Sequence, residues 1–116
     1  MTVTAFAAPI LPGKTAAWKA AMAEMTGPRN AEFEDWNHRL GLTRHMACLQ
    51  QTPDGDFVVV YAKGEGDTPT TVIARTLSSD HPFDKWFAEA VLRGVHGIDS
   101  AQVPPPPNQV FVNWSA

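Results

Sequence analysis

Leu42-Thr43-Arg44-His45-Met46-Ala47-Cys48-Leu49-Gln50-Gln51, then Thr52-Pro53-Asp54-Gly55, then Asp56-Phe57-Val58-Val59-Val60-Tyr61-Ala62 read together as a β-hairpin. The run from Phe57 to Tyr61 is the most strand-like in the chain, all β-branched or aromatic. Thr52-Pro53-Asp54-Gly55 is a turn signal: proline presets φ, aspartate bonds its own backbone, and glycine tolerates positive φ. Strands over residues 42–51 and 56–62 are therefore antiparallel neighbours. Period two sends Thr43, His45, Ala47, Leu49 and Gln51 to one face and Arg44, Met46, Cys48 and Gln50 to the other. Both faces mix polar and apolar residues, which points one of them at a polar pocket or an interface.

Upstream, residues 28–40 carry Phe33, Trp36 and Leu40 on one helical stripe, with Pro28 suited to a first turn and Gly41 to the left-handed position after the last. Residues 14–25 are also helical in period, with Trp18, Met22 and Met25 aligned. Thr26-Gly27-Pro28 interrupts the two, giving one kinked helix or two helices. Before them, residues 3–10 alternate weakly around Phe6 and Ile10 and stop at Pro12-Gly13, as a first strand. Downstream, Gly64-Glu65-Gly66-Asp67 is a loop, and Thr68-Pro69 opens a short helix over residues 70–77. Asp80 is a candidate cap for the next helix, whose apolar stripe is Phe83, Trp86, Phe87, Ala90, Val91 and Val95, with Gly94 and Gly97 ending it. After four prolines at 104–107, the alternation of Val110, Val112 and Trp114 predicts a last strand.

The order is β-α-β-β-α-β over a single domain, residues 1–116. Right-handed crossovers place both helical connections on one face of a four-stranded antiparallel sheet, a ferredoxin-like α+β architecture. The other face would bare valine and tryptophan over too large an area for a monomer. Packing against a second copy is the simplest cover, so a homodimer through the sheet face is expected.

Gly27-Pro28-Arg29, Arg39-Leu40-Gly41, Leu49-Gln50-Gln51-Thr52-Pro53, Gly55-Asp56, and Pro82-Phe83-Asp84-x-Trp86-Phe87 followed by His96-Gly97-Ile98-Asp99 span most of the chain. In these pieces the sequence resembles the dimeric α/β-barrel superfamily, and within it a group of small proteins of uncharacterised activity. The resemblance implies a pocket between the sheet and the helices of each subunit. Members of the wider superfamily include cofactor-free monooxygenases, haem-degrading enzymes, haem dehydratases, cyclases, isomerases and binding proteins. A fold of this kind does not choose among them.

Composition narrows the field from the other side. The chain has 116 residues, 44% hydrophobic and 18% charged, with a formal net charge of -3 and no Lys/Arg run. Nucleic acid and anionic membranes therefore lack a basic patch to grip. The aromatic pattern of an RNA-binding sheet is also missing. No apolar run approaches the roughly 20 residues that span a bilayer. Ala5-Phe6-Ala7-Ala8 has no positively charged stretch before it and reads as strand, not leader. Cys48 is the single cysteine, so neither an internal disulfide nor a cysteine-based zinc site is available. A cytoplasmic protein is the expectation.

The candidate site residues are acid/base groups and pocket walls. His45, Tyr61 and His81 are the acid/base candidates: an imidazole in a strand, a hydroxyl ending the Phe57/Val59/Tyr61 face, and an imidazole at a helix start where the dipole favours its neutral form. Trp36, His38, Arg39, Trp86 and Phe87 are the candidate substrate-binding set, with Arg39 or Arg44 able to face an anion or oxyanion. His38 has Asp35 and Glu34 three and four residues before it, which equally suits an ordinary surface helix pair. His96, near a helix C-terminus that favours a cation, reads as structural. No metal motif is present: no histidines lie four apart, and none sits in an H-E-x-x-H frame. The leading reading is a small-molecule enzyme with an apolar pocket, acting without a tightly bound cofactor as an oxygenase, isomerase or cyclase. The alternatives are a non-catalytic dimeric ligand-binding protein, or a haem protein using His81 or His96.

Overall fold

In a computed structural model, which describes residues 2–65, 69–99 and 109–116, the hairpin forms the heart of the sheet. Strand β2 (Leu42–Thr52) pairs antiparallel with β3 (Gly55–Gly64). The Thr52 hydroxyl closes the turn between them, donating to the Gly55 carbonyl at 2.7 Å. Strand β1 (Thr2–Pro9) takes the other edge of β3, also antiparallel, giving the order β1-β3-β2. Pairing sets the faces. Thr4, Ala62 and His45 form one cross-strand row, Phe6, Val60 and Ala47 the next, and Ala8, Val58 and Leu49 the third. These rows alternate with outward rows such as Ala5, Tyr61, Met46 and Ala7, Val59, Cys48.

The ladder slips between Leu42 and Arg44, so Thr43 is an extra residue in β2. Close approach explains where it slips: a Cβ on Gly64 would lie 2.3 Å from the Gly41 carbonyl oxygen, so only glycine lets the two backbones meet. Gly41 itself has φ +73°, the left-handed turn that ends the preceding helix. A bulge at a strand end re-aims the residues beside it. Here it keeps Leu42 and His45 on the inner side and Arg44 on the outer.

Four helices cover the inner face. The interruption at Thr26-Gly27-Pro28 resolves as two helices, α1 (Thr15–Thr26) and α2 (Asn30–Arg39), with Pro28 in the turn between them rather than in the first turn of α2. Helix α3 (Pro69–Leu77) follows the hairpin, then α4 (Pro82–Phe87). His81 occupies the cap position of α4 in extended conformation; its backbone N–H accepts no help from Asp80 but donates to the Ser79 hydroxyl at 3.2 Å. Helix α4 runs on into a π-helix, Ala88–Arg93, where backbone bonds reach one residue further, as from Gly94 N–H to the Glu89 carbonyl. The extra residue turns the stripe. Ala88 and Leu92 join Val91 and Val95 inside, although a strict helical period leaves them off it.

Two clusters make the core. Ile10, Trp18, Ala21, Val58, Val91 and Val95 hold one end of the sheet, and Met25, Trp36, Leu40 and Phe83 the other. Burial of each large side chain contributes roughly 1.5–3 kcal/mol. Between α2 and α4, Arg39 grips Asp84 with two parallel bonds of 2.9 and 2.7 Å and holds Asp35 with a third of 2.8 Å. Asp84 is 3% exposed, yet the carboxyl stays below its usual range. Burial pushes it up most strongly, but hydrogen bonds from Arg39 and Ser79 and the nearby charges together outweigh that.

The expected fourth strand is not formed. Residues 109–116 contain no strand, and Val110, Phe111, Val112 and Trp114 are 72–88% exposed. Alternation supplies the side-chain half of a strand; the other half is a neighbour's edge to bond, and none is engaged here. The sheet therefore has three strands among the described residues, not four. The sequence-predicted proline run at 104–107 lies outside the described residues.

Candidate functional site

The inner rows of the sheet and the helices above them leave an apolar cavity of about 100 Å³. Phe6, Val58 and Val60 floor it, Met22, Trp36 and Phe87 roof it, and Val91 and Leu92 of the π-helix close one side. The polar groups in its wall are Thr4, His45, Thr76 and His96.

His45 is placed by the bulge below it and by α2 above it. Its ring sits 5.7 Å from the rings of both Phe33 and Trp36, centroid to centroid. Asn37, on the same helix, fixes the proton. The Asn37 amide nitrogen donates to the Phe33 carbonyl at 2.9 Å, which leaves its oxygen to face His45 Nδ1 at 2.8 Å. An amide oxygen only accepts, so Nδ1 carries the hydrogen and Nε2 keeps a lone pair. Burial pushes the imidazole below its ordinary value, so it is neutral at physiological pH. His96 is held in the same tautomer, with Nδ1 donating to the Pro9 carbonyl at 2.7 Å. Burial lowers it too, against a smaller upward pull from that bond.

Trp36 and Thr76 complete the His45 end. The indole N–H of Trp36 donates to the Thr76 hydroxyl at 3.4 Å, and that hydroxyl donates to the Val72 carbonyl at 2.8 Å. Trp36 also meets the Phe87 ring at 4.7 Å and the Phe83 ring at 5.5 Å.

The candidate residues from the sequence divide between this cavity and other places. His45, Trp36 and Phe87 stand in its wall. Tyr61 is on the outer face of the sheet, in a shallow groove with Thr43, Arg44, Met46 and Lys63. His81 is exposed at the start of α4. His38 is exposed and lines an outer polar groove with Glu34, Asn37 and Arg44. His45 borders that groove as well, so its ring separates the polar groove from the apolar cavity. Trp86 packs beside the core with the Arg29 guanidinium 4.6 Å above its ring. Arg39 is committed to Asp84 and Asp35, and Arg44 faces outward, so neither guanidinium lines the cavity. The structure thus brings His45, Trp36 and Phe87 together and leaves Tyr61, His81, His38, Arg39 and Trp86 apart from them.

Asn37, Thr76 and His96 are wall or support residues that sequence reasoning passed over. Asn37 lies one turn after Phe33, a spacing that allows the amide to back-bond its own helix and present its oxygen. His96 was read through the dipole of a helix end, but desolvation is the larger influence on its ring. Nothing near Thr76 in the chain announces a partner 40 residues away. Among the described residues, no group of three or more His, Cys, Asp or Glu side chains is placed to hold a metal ion. No helix among them is long and apolar enough to cross a membrane.

Fold and site define a class, an α+β domain with a histidine-bearing apolar cavity between sheet and helices. Comparison with protein-family models, curated proteins and solved structures finds no match to this chain.

Proposed function

We propose that the chain binds a small apolar molecule in the cavity and that His45 exchanges a proton with it. The observation that carries this is a neutral imidazole, locked by Asn37 with its Nε2 lone pair free of protein partners among the described residues, in a wall otherwise built of hydrocarbon and aromatic rings. A base in a dry site is suited to reactions that begin with proton removal, as in a cofactor-free oxygenase, an isomerase or a cyclase. The resemblance to the dimeric α/β-barrel superfamily supports the same classes and a ferredoxin-like assignment of the fold. Size favours a ring-sized ligand over haem: apolar cavities on the order of 150 Å³ admit one benzene ring.

The test is in two stages. Benzene is titrated into the unaltered protein, with tryptophan fluorescence and methyl NMR as readouts, because Trp18, Trp36, Val58 and Val91 line the space. Phenols, quinols and enolisable ketones are then screened for turnover, with His45→Ala as the control. Saturable benzene binding with turnover lost in the variant supports the proposal. Binding without any turnover leaves the non-catalytic binding reading, and no binding at all removes both.

The outer sheet face supports the proposal of a homodimer. Val3 is 52%, Met46 43% and Val59 37% exposed, and Ala5, Ala7 and Cys48 beside them are exposed too. Three strands of eight paired residues present on the order of 400 Å². A standard interface buries about 800 Å² per partner. The exposed side chains of Val110, Phe111, Val112 and Trp114 are apolar area of the kind that would supply the remainder.

A further inference from the structure

The hydrogen bonds at the His45 end of the cavity all run one way, and their direction selects a ligand, given the reading that the cavity is a binding site. Thr76 spends its only proton on the Val72 carbonyl and receives the single N–H of Trp36. His45 spends its Nδ1 proton on Asn37. Thr4, in the same cross-strand row as His45, points its hydroxyl proton at the Ala62 carbonyl, 3.5 Å away. Every donor is turned toward the protein. What remains for a guest is lone pairs: Nε2 of His45 and the hydroxyl oxygens of Thr76 and Thr4. No Lys, Arg, Ser, Tyr, Asn or Gln stands in the wall to change that balance among the described residues.

We propose that the His45 end is a site for a neutral, ring-sized hydrogen-bond donor, a phenol or a comparably small alcohol or aryl amine, whose O–H or N–H is accepted by His45 Nε2. A ketone, ester or carboxylate entering the same space gives up its hydrogen bonds to water and meets only other acceptors. The second imidazole does not share the guest. His96 bonds the Pro9 carbonyl, whereas His45 is level with Thr4, and five residues of β1 separate those positions. At about 3.4 Å per residue that is roughly 17 Å, beyond the span of a ligand filling about 100 Å³.

Phenol and toluene are close in size and differ in the donor, so they are the probes. Both are titrated calorimetrically into the unaltered protein and into His45→Phe, which keeps an aromatic ring and removes the acceptor. The expected result is that the phenol-to-toluene affinity ratio falls about tenfold in the variant. In the unaltered protein, which needs no folded variant, phenol should shift the His45 Nε2 resonance in an imidazole nitrogen spectrum and toluene should not. An unchanged ratio, or phenol binding that leaves Nε2 unmoved, overturns the donor preference while the cavity stands as a binding site. Tight binding of benzaldehyde with exclusion of phenol overturns it as well. Failure of phenol, toluene and benzene alike removes the binding-site reading together with this one.

Discussion

Replacing Arg39 with methionine should cost more stability than replacing its partner Asp84 with alanine, although both break the same ion pair. Arg39→Met leaves a carboxylate that is 3% exposed with both its strongest donors gone. Breaking a buried pair from one side costs about 3–5 kcal/mol. The hydrogen bond from Ser79 survives, and so does the favourable position in the first turn of α4, worth about 0.3–1 kcal/mol. The loss should therefore fall near 3 kcal/mol. Asp84→Ala strands less: the guanidinium keeps its 2.8 Å bond to Asp35 and is 26% exposed, so water covers part of the charge. About 1–2 kcal/mol is expected there, by the value of a charged hydrogen bond. The double variant should cost less than the sum, because it leaves no orphan. Urea unfolding measures all three, with equal slopes confirming that only the midpoint moves. For a chain of this length, 3 kcal/mol corresponds to roughly 12 °C in Tm. Equal losses for the two single variants, or losses below about 0.5 kcal/mol, would refute the assignment of Arg39 and Asp84 as a desolvated clamp between α2 and α4.

Two further outcomes follow from the buried imidazoles and the bare face. His45 and His96 both titrate below 6.5 in the folded protein, so the unfolded chain binds protons first and stability should fall as pH drops beneath 6.5, by at most about 1.4 kcal/mol per pH unit for each ring. Denaturation midpoints across pH 7 to 5 check this, and His45→Gln should flatten the slope whatever it does to the midpoint at pH 7; an unaltered slope would mean that the ring is charged or solvated. On the outer face, Val59→Glu should convert a sedimenting dimer to a monomer without loss of the far-UV spectrum; a protein that is monomeric before substitution at high concentration would dismiss the sheet-face dimer.

The hairpin, α1 and α2 could be read from the chain because their signals are local: β-branched runs, a Pro-Asp-Gly turn, and aromatic residues one helical turn apart. Where the reading fell short, the deciding contact was distant in sequence. The alternation around Val112 is real, but a strand exists only through its neighbour. The stripe from Phe83 to Val95 was legible as amphipathic, whereas the change to π-helical bonding at Ala88 is set by packing over the sheet and has no local marker. The site shows the same division. His45 stood out because a strand with polar residues on both faces is unusual, and Trp36 and Phe87 because aromatic stripes face a core. Tyr61 was assigned by chemistry alone; its strand parity, shared with Val59, already separated it from the face of Val58 and Val60. Asn37 and Thr76 act only through residues that folding brings to them.

The π-helix has a bearing on how the cavity came to its present dimensions. Val91 and Leu92 reach the cavity from the widened turn, so the space is bounded by the count of backbone atoms in residues 88–93 as well as by side-chain bulk. Such a segment is an α-helix with one residue inserted. Excising a single residue from it would restore regular winding, rotate everything downstream by about 100° and swing His96 away from Pro9. Pocket capacity in this scaffold can thus be retuned by single-codon insertions and deletions, a coarser step than any point substitution allows.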